Sequence, residues 1–283
     1  MPFEQIPAIL WLVLAAVAAL LVWRFSPARE RARQYIQKVQ TCGYLAPPPT
    51  EKGVRRLQRL AKALIFIQVG KVKIIGRENL EKVPGPYIVT PNHPHWADTA
   101  ALPILMNGPA RYMAAQGVFT FAGGLGGLLV GPMGAFCADL TRGKGGPAKD
   151  AAVEVLTTGQ RLVMFPEGWA YLDGRLGPFK KGALRIAREA ALKLQKPTYL
   201  VPVNLRYGKY PGKWITKLPP PLEYFLVFML FFMFRRGLTM VVGKPVAIDQ
   251  FSTDDAAATE QLKQMIIALD PAPEKVAYQD GSH

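Results

Sequence analysis

Apolar residues fall into three kinds of run along this chain, and each kind predicts a different element. The first is a single long stretch. Ile6 to Trp23 carries no charge, is rich in Leu, Ala and Val, and places Trp11 and Trp23 toward its ends. At about 1.5 Å per residue it reaches roughly 27 Å, close to the hydrocarbon thickness of a bilayer. We read it as a transmembrane helix. A cleaved signal peptide would need a basic start, and this chain begins Met-Pro-Phe-Glu-Gln. Arg24, Arg29, Arg31, Arg33 and Lys38 crowd the far side, so the positive-inside rule places the rest of the chain on the cytoplasmic side of a single-pass anchor.

The second kind is the short β-favouring run bounded by Gly, Pro or polar clusters. Lys71 to Ile75, Tyr87 to Thr90, Arg161 to Phe165, Tyr199 to Leu205 and Leu238 to Val242 fit it. The third has helical spacing: Thr99 to Met106, Pro147 to Thr158, Ala183 to Leu194 and Thr253 to Leu269. Ahead of these, Arg55, Arg56, Arg59 and Lys62 interleave with Leu57, Leu60, Ala61 and Leu64 as a basic amphipathic helix. Such a helix packs on a core with its charges in water, or lies on a membrane surface. Strands alternating with helices predict an α/β fold, a mixed sheet flanked by helices, with an N-terminal transmembrane helix. We divide the chain into an anchor and basic juxtamembrane segment (1–50), a central domain (51–250), and a C-terminal helix with a polar tail (251–283).

Two stretches fit none of these patterns. Val118 to Ala138 is glycine-rich and apolar, which allows close approach of the backbone to a ligand, a tight helix-packing surface or ordinary core. It lacks the arrangement of a dinucleotide-binding fingerprint. Tyr224 to Phe234 is apolar but too short to span a bilayer; it is read as contacting the membrane interface, with a core helix as the alternative.

Composition adds an anionic partner. The chain carries 35 Lys and Arg against 20 Asp and Glu, a net charge of +15, which suits nucleic acid, an anionic lipid surface or an acidic cofactor such as coenzyme A. Cys42 and Cys137 are far apart in sequence and have no CxxC spacing, so they read as free thiols or core residues.

Candidate chemistry concentrates after the second predicted strand. Pro91 breaks the run Tyr87 to Thr90, and Asn92, His93, His95 and Asp98 follow before apolar helical spacing resumes. This loop holds two of three histidines; the third, His283, ends the chain. One reading makes His93 a general base and Asp98, five residues on, the carboxylate that fixes its tautomer. The other makes Asp98 an N-cap and the histidines polar loop residues. A zinc site is disfavoured, because no third ordered histidine and no paired cysteines are available. A second acidic group, Glu167, also follows a predicted strand, within Phe165-Pro166-Glu167-Gly168.

These residues, in the order Asn92-His93 with Asp98, Gly134-Ala135-Phe136, Phe165-Pro166-Glu167-Gly168 and Val201-Pro202-Val203, resemble the four blocks of the glycerolipid acyltransferase superfamily. Its type member is 1-acylglycerol-3-phosphate acyltransferase. The likeness continues through Asp173 to Ala183 and covers roughly Val72 to Ile248. It implies transfer of an acyl chain from acyl-CoA or acyl carrier protein to a hydroxyl of a lysophospholipid or related glycerolipid, with no metal and no resident cofactor. It assigns His93 as base and Asp98 as its orienting partner. Asn92, Phe165, Pro166, Glu167, Gly168, Trp169, Lys180 and Arg142 become the expected substrate-binding residues. The implied partners are membrane lipids, the acyl donor and the lipid acceptor, and not nucleic acid.

The chain departs from the family pattern where an acceptor phosphate would be held. Lysophosphatidate acyltransferases usually carry an arginine shortly after the Gly-x-Phe block and read Phe-Pro-Glu-Gly-Thr-Arg in the third. Here those positions are Leu140, Trp169 and Ala170. Arg142 lies two residues late, and Arg175, Lys180 and Lys181 are alternative cations. Lysophosphatidate and a lipid with a different head group both remain expected acceptors, and the rival functions are a catalytically silent membrane-anchored lipid-binding protein on the same scaffold and an acyl-thioester hydrolase using His93 to activate water.

Overall fold

The structure, a computed structural model, describes residues 27–270 except Trp96, Asn107, 140–145, Asp173, 209–216, 220–225, 227–228 and 230–236. The predicted transmembrane stretch, Arg142, nearly all of Tyr224 to Phe234 and the tail beyond 270 lie outside the described residues. Among the described residues, no helix is long and apolar enough to cross a membrane.

Two helices open the described chain, α1 (Pro27–Gln40) and α2 (Glu51–Gln68). The Thr50 hydroxyl caps α2 by accepting from the Gly53 amide at 3.1 Å. Its Val54, Ala61 and Ile65 turn inward. Then come β1 (Val72–Ile75), the short α3 (Glu78–Glu81), β2 (Tyr87–Pro91), α4 (Asp98–Met106), β3 (Arg111–Ala115), α5 (Gln116–Val130) and β4 (Ala135–Ala138). The order continues with α6 (Pro147–Thr157), β5 (Leu162–Val163), α7 (Gly182–Leu194), β6 (Tyr199–Tyr207), β7 (Leu238–Val242), β8 (Val246–Ala247) and α8 (Asp255–Ala268).

The sheet runs β1-β7-β6-β2-β5-β3-β4, with β8 paired to β6. β6 meets β7 and β8 antiparallel, while β6, β2, β5, β3 and β4 are mutually parallel. The expected mixed α/β sheet is therefore present. Strand side chains alternate between faces, so consecutive residues enter different layers. Val89, Val163 and Val201 pack with α2 and α4, whereas their neighbours Ile88, Leu162 and Leu200 pack with α6, α7 and α8. Burial on both faces explains why β2 and β6 read as nearly continuous apolar runs.

Several boundaries differ from the sequence reading. The strand expected over Arg161 to Phe165 shortens to Leu162–Val163; the Met164 amide still donates to Val89 at 3.1 Å, but Pro166 stops the ladder. β6 runs on to Tyr207, two residues past the expected end. The glycine-rich stretch resolves into α5, a 3₁₀ turn at Gly131–Met133 and β4. Its glycines permit close helix packing. A Cβ at Gly131 would sit 2.5 Å from the Tyr35 hydroxyl, and one at Gly127 3.0 Å from Val39 Cγ2, both on α1. Cys42 and Cys137 are free thiols, as read, but the fold brings their Sγ atoms to 3.0 Å.

Candidate active site

β2 and β5 are parallel neighbours, so the loops leaving their carboxyl ends emerge at one edge of the sheet. That edge is where open α/β sheets place their ligands. The β2 loop brings His93, His95 and Asp98; the β5 loop brings Phe165, Pro166, Glu167 and Gly168.

His93 Nδ1 lies 2.9 Å from Asp98 Oδ2. The same oxygen accepts the His95 backbone N–H at 2.9 Å, and the Tyr207 hydroxyl donates to Oδ1 at 2.6 Å. The donors come from the loop and from β6, so the carboxylate faces back toward the histidine rather than acting only as a helix cap. Asp98 is fully buried. Burial pushes its pKa up, against the hydrogen bond and charge of His93, the Tyr207 hydroxyl and the His95 amide, which pull it down.

The two histidines occupy different environments. The His93 side chain keeps 14% of its surface exposed, and its ring stacks on Phe165 at 3.7 Å between centroids and 10° between planes. With Nδ1 bound to the carboxylate, Nε2 is the nitrogen left to take a proton. His95 is fully buried, and its Nδ1 accepts the Ala97 amide at 3.0 Å. Burial, reinforced by the nearby His93, depresses its pKa to about 3, so it stays neutral and shapes the turn.

Glu167 fastens the two loops together. One carboxylate oxygen accepts the His93 backbone N–H at 2.7 Å and the other accepts the Gly177 N–H at 2.7 Å. Burial raises its pKa to about 7 despite these two donors. The Tyr171 amide donates to the His93 carbonyl at 2.8 Å, which closes the tie from the other side. Gly177 is needed at this point because a Cβ there would lie 1.9 Å from the Tyr171 ring. Gly168 has φ +66°, and the Lys180 side chain passes beside it, its Nζ 2.9 Å from where a Cβ would be. Lys180 also donates its backbone N–H to the Pro166 carbonyl at 2.7 Å.

The remaining expected residues are placed as follows. Both ends of the Asn92 amide are bound to Leu205: Nδ2 donates to its carbonyl at 3.1 Å and Oδ1 accepts its N–H at 2.6 Å. Asn92 therefore fixes the start of the loop to β6. Trp169 projects into solvent at 62% exposure beside the site. Arg142 lies outside the described residues. Sequence reasoning missed Tyr207 and the bracing role of Gly177. The only local hint of Tyr207 was a hydroxyl-bearing residue continuing the inward alternation Val201, Val203, Leu205.

At its carboxyl edge the α/β sheet thus presents a buried Asp, a largely buried His and a glutamate-tied loop, and comparison with known proteins shows a likeness to acyltransferases. The family model named Acyltransferase matches residues 71–206. This match, over just under half of the chain, supports the likeness to the glycerolipid acyltransferase superfamily.

It is similar to the chloroplastic 1-acyl-sn-glycerol-3-phosphate acyltransferase BAT2 of Brassica napus, with 30% identity over 48% of this chain and 37% of that protein. The Chlamydomonas reinhardtii 1-acyl-sn-glycerol-3-phosphate acyltransferase is 26% identical over 65% of this chain and 48% of its own length. The chain thus aligns with less than half the length of these curated relatives. Among solved structures, PlsC of Thermotoga maritima, a 1-acyl-sn-glycerophosphate acyltransferase, superimposes with a TM-score of 0.51 and 18% identity, covering 95% of this chain and 90% of that one. That likeness is one of fold.

Proposed function

We propose that this protein transfers an acyl chain from acyl-CoA or acyl carrier protein to the hydroxyl of a lysophospholipid, with 1-acylglycerol-3-phosphate as the leading acceptor. The observation that carries the reading is the His93–Asp98 pair, with Nδ1 held at 2.9 Å by a buried carboxylate. In this reading His93 Nε2 takes the acceptor hydroxyl proton as the oxygen attacks the thioester carbonyl. The C–S bond of the tetrahedral adduct then breaks, and the imidazolium returns the proton to the leaving thiolate. Asp98 stabilises the imidazolium between these steps without itself taking the proton. A base so placed contributes about 10²–10⁴-fold in rate. Thioester and acceptor enter as substrates, and no resident cofactor is invoked.

Membrane attachment belongs to the same proposal. The uncharged run Ile6 to Trp23 with the basic residues after it supports a single-pass anchor with the catalytic domain on the cytoplasmic side. An enzyme drawing its donor from water and its acceptor from a bilayer works at that interface.

A different head group is the second reading, favoured by the 62% exposure of Trp169 where the family pattern has threonine. The arginine position beside it is Ala170, so one indole N–H stands where the pattern offers a phosphate the bidentate fork of a guanidinium. The test is thiol release from acyl-CoA with lysophosphatidate and with neutral and zwitterionic lyso-acceptors, in wild type and Arg142→Ala. Preference for lysophosphatidate, lost in the variant, supports the leading acceptor. Preference for a neutral or zwitterionic acceptor supports the second, and release independent of any acceptor overturns transfer in favour of thioester hydrolysis.

A further inference from the structure

We infer that Tyr207 is a positioning residue for the catalytic pair, setting through its hydrogen bond to Asp98 how strongly that carboxylate holds the His93 ring. The inference rests on the acyl-transfer reading of the site. Tyr207 lies 109 residues beyond Asp98, and its ring is fully buried. Its hydroxyl reaches Asp98 Oδ1 at 2.6 Å, while His93 and the His95 amide share Oδ2. The two carboxylate oxygens thus have different partners: one faces the base, the other faces β6.

β6 grips the loop at both ends. Asn92, just before His93, is bound on both sides to Leu205, and Asp98, just after the loop, is bound by Tyr207 two residues further along the strand. This register ties the loop to a strand that β2 and β7 flank in the sheet. A phenol O–H on one oxygen draws charge away from the other, which weakens the pull on an imidazolium. Removing that donor leaves the carboxylate more basic, so protonated His93 is held more tightly. The expected consequence is an acid limb of activity displaced to higher pH.

Other ionisable groups face the same carboxylate. His93 and His95 come from the loop, and Glu167 acts from the β5 loop as a second acidic group. His95 is held neutral by its burial, and Glu167 is bound to the His93 and Gly177 amides. Neither the His95 bond to the Ala97 amide nor the two Glu167 bonds involve the phenol oxygen.

The test is Tyr207→Phe in the full chain, which keeps the buried ring and its contact with His95 at 5.2 Å. On the acid limb turnover should fall roughly 10–100-fold, the scale of a hydrogen bond to a charged group, with KM little changed and the loss closing as pH rises above the limb. The acid limb should move to higher pH, and adding Tyr207→Phe to Asp98→Asn should produce little further loss. A fall of equal size at every pH, or one that adds in full to Asp98→Asn, would overturn the inference.

A readout free of turnover separates this result from the acyl-transfer reading. With three histidines in the chain, ¹⁵N-histidine spectra follow the His93 ring directly, assigned by its loss in His93→Gln. The ring should titrate at higher pH in Tyr207→Phe than in wild type whether or not any acceptor is turned over. An unshifted titration refutes the inference, and a shifted one in a protein that transfers no acyl chain refutes only the reaction assigned to the site.

Discussion

His93 and His95 sit two residues apart yet predict opposite outcomes when removed. His93 is partly open and paired with a carboxylate; His95 is buried and accepts the Ala97 amide. Truncating His95 leaves that amide without its acceptor and opens a cavity, a loss of about 1–3 kcal/mol from the unsatisfied group. We expect His95→Ala to lower the thermal midpoint while activity per folded molecule stays within about tenfold of wild type. Differential scanning calorimetry beside active-site-normalised assays checks this. Asp98→Asn is expected to do the reverse, cutting turnover by about 10²–10⁴-fold, because an amide neither enforces the tautomer nor stabilises the imidazolium. The His93 to Asp98 spacing was legible in the sequence because one loop carries both. Tyr207 was not, because its place opposite Asp98 is set by the register of β6 against β2, and no local pattern encodes that register.

At the scale of elements, the site depends on two strand-end loops joined through Glu167. Its pKa of about 7 lies above the ordinary 4.5, so between these values the folded protein holds a proton that the unfolded chain has released. The resulting stabilisation is fully present below about pH 4.5 and is lost as pH rises through about 7, on the order of 3 kcal/mol. His95 acts in the other direction: its depressed pKa gives stability present above about 6.5 and lost as pH falls toward 3. Glu167→Gln removes only the first contribution. Stability of that variant relative to wild type should rise between pH 5 and 7.5, as read from urea midpoints, and a difference independent of pH would contradict the assignment. Among the elements themselves, β1, β2, β5, β6, β7 and the helices α2, α4, α6, α7 and α8 announced themselves by apolar runs and helical spacing, whereas α1, α3 and α5 did not. Nor did β3, β4 and β8. Arg111–Ala115 and Ala135–Ala138 flank a glycine-rich helix whose composition hides the change of period, and β8 is only two residues long.

Across the whole molecule, basic charge and exposed apolar side chains coincide on α2. Leu60, Leu64, Phe66 and Ile67 are more than half exposed, beside Arg55, Arg56, Arg59 and Lys62. This settles one alternative left by the sequence: the helix packs on the core through Val54, Ala61 and Ile65 and still presents an apolar surface. A protein lacking residues 1–25 should therefore float with anionic liposomes at low salt and less at high salt. Replacing Leu60, Leu64 and Phe66 by Gln should abolish flotation; flotation unchanged by these replacements would contradict a role for α2. In the proposed reaction His93, oriented by Asp98, moves an acyl group from a thioester to a lipid hydroxyl. Its most direct test is a single-turnover experiment with excess full-length protein and radiolabelled acyl-CoA, following free thiol and acylated lipid together in the presence of lysophosphatidate. Both should appear at the same rate and in equal amounts in wild type, and His93→Ala should slow both at least about 10²-fold. Thiol release without ester formation, or equal rates in wild type and His93→Ala, would contradict it.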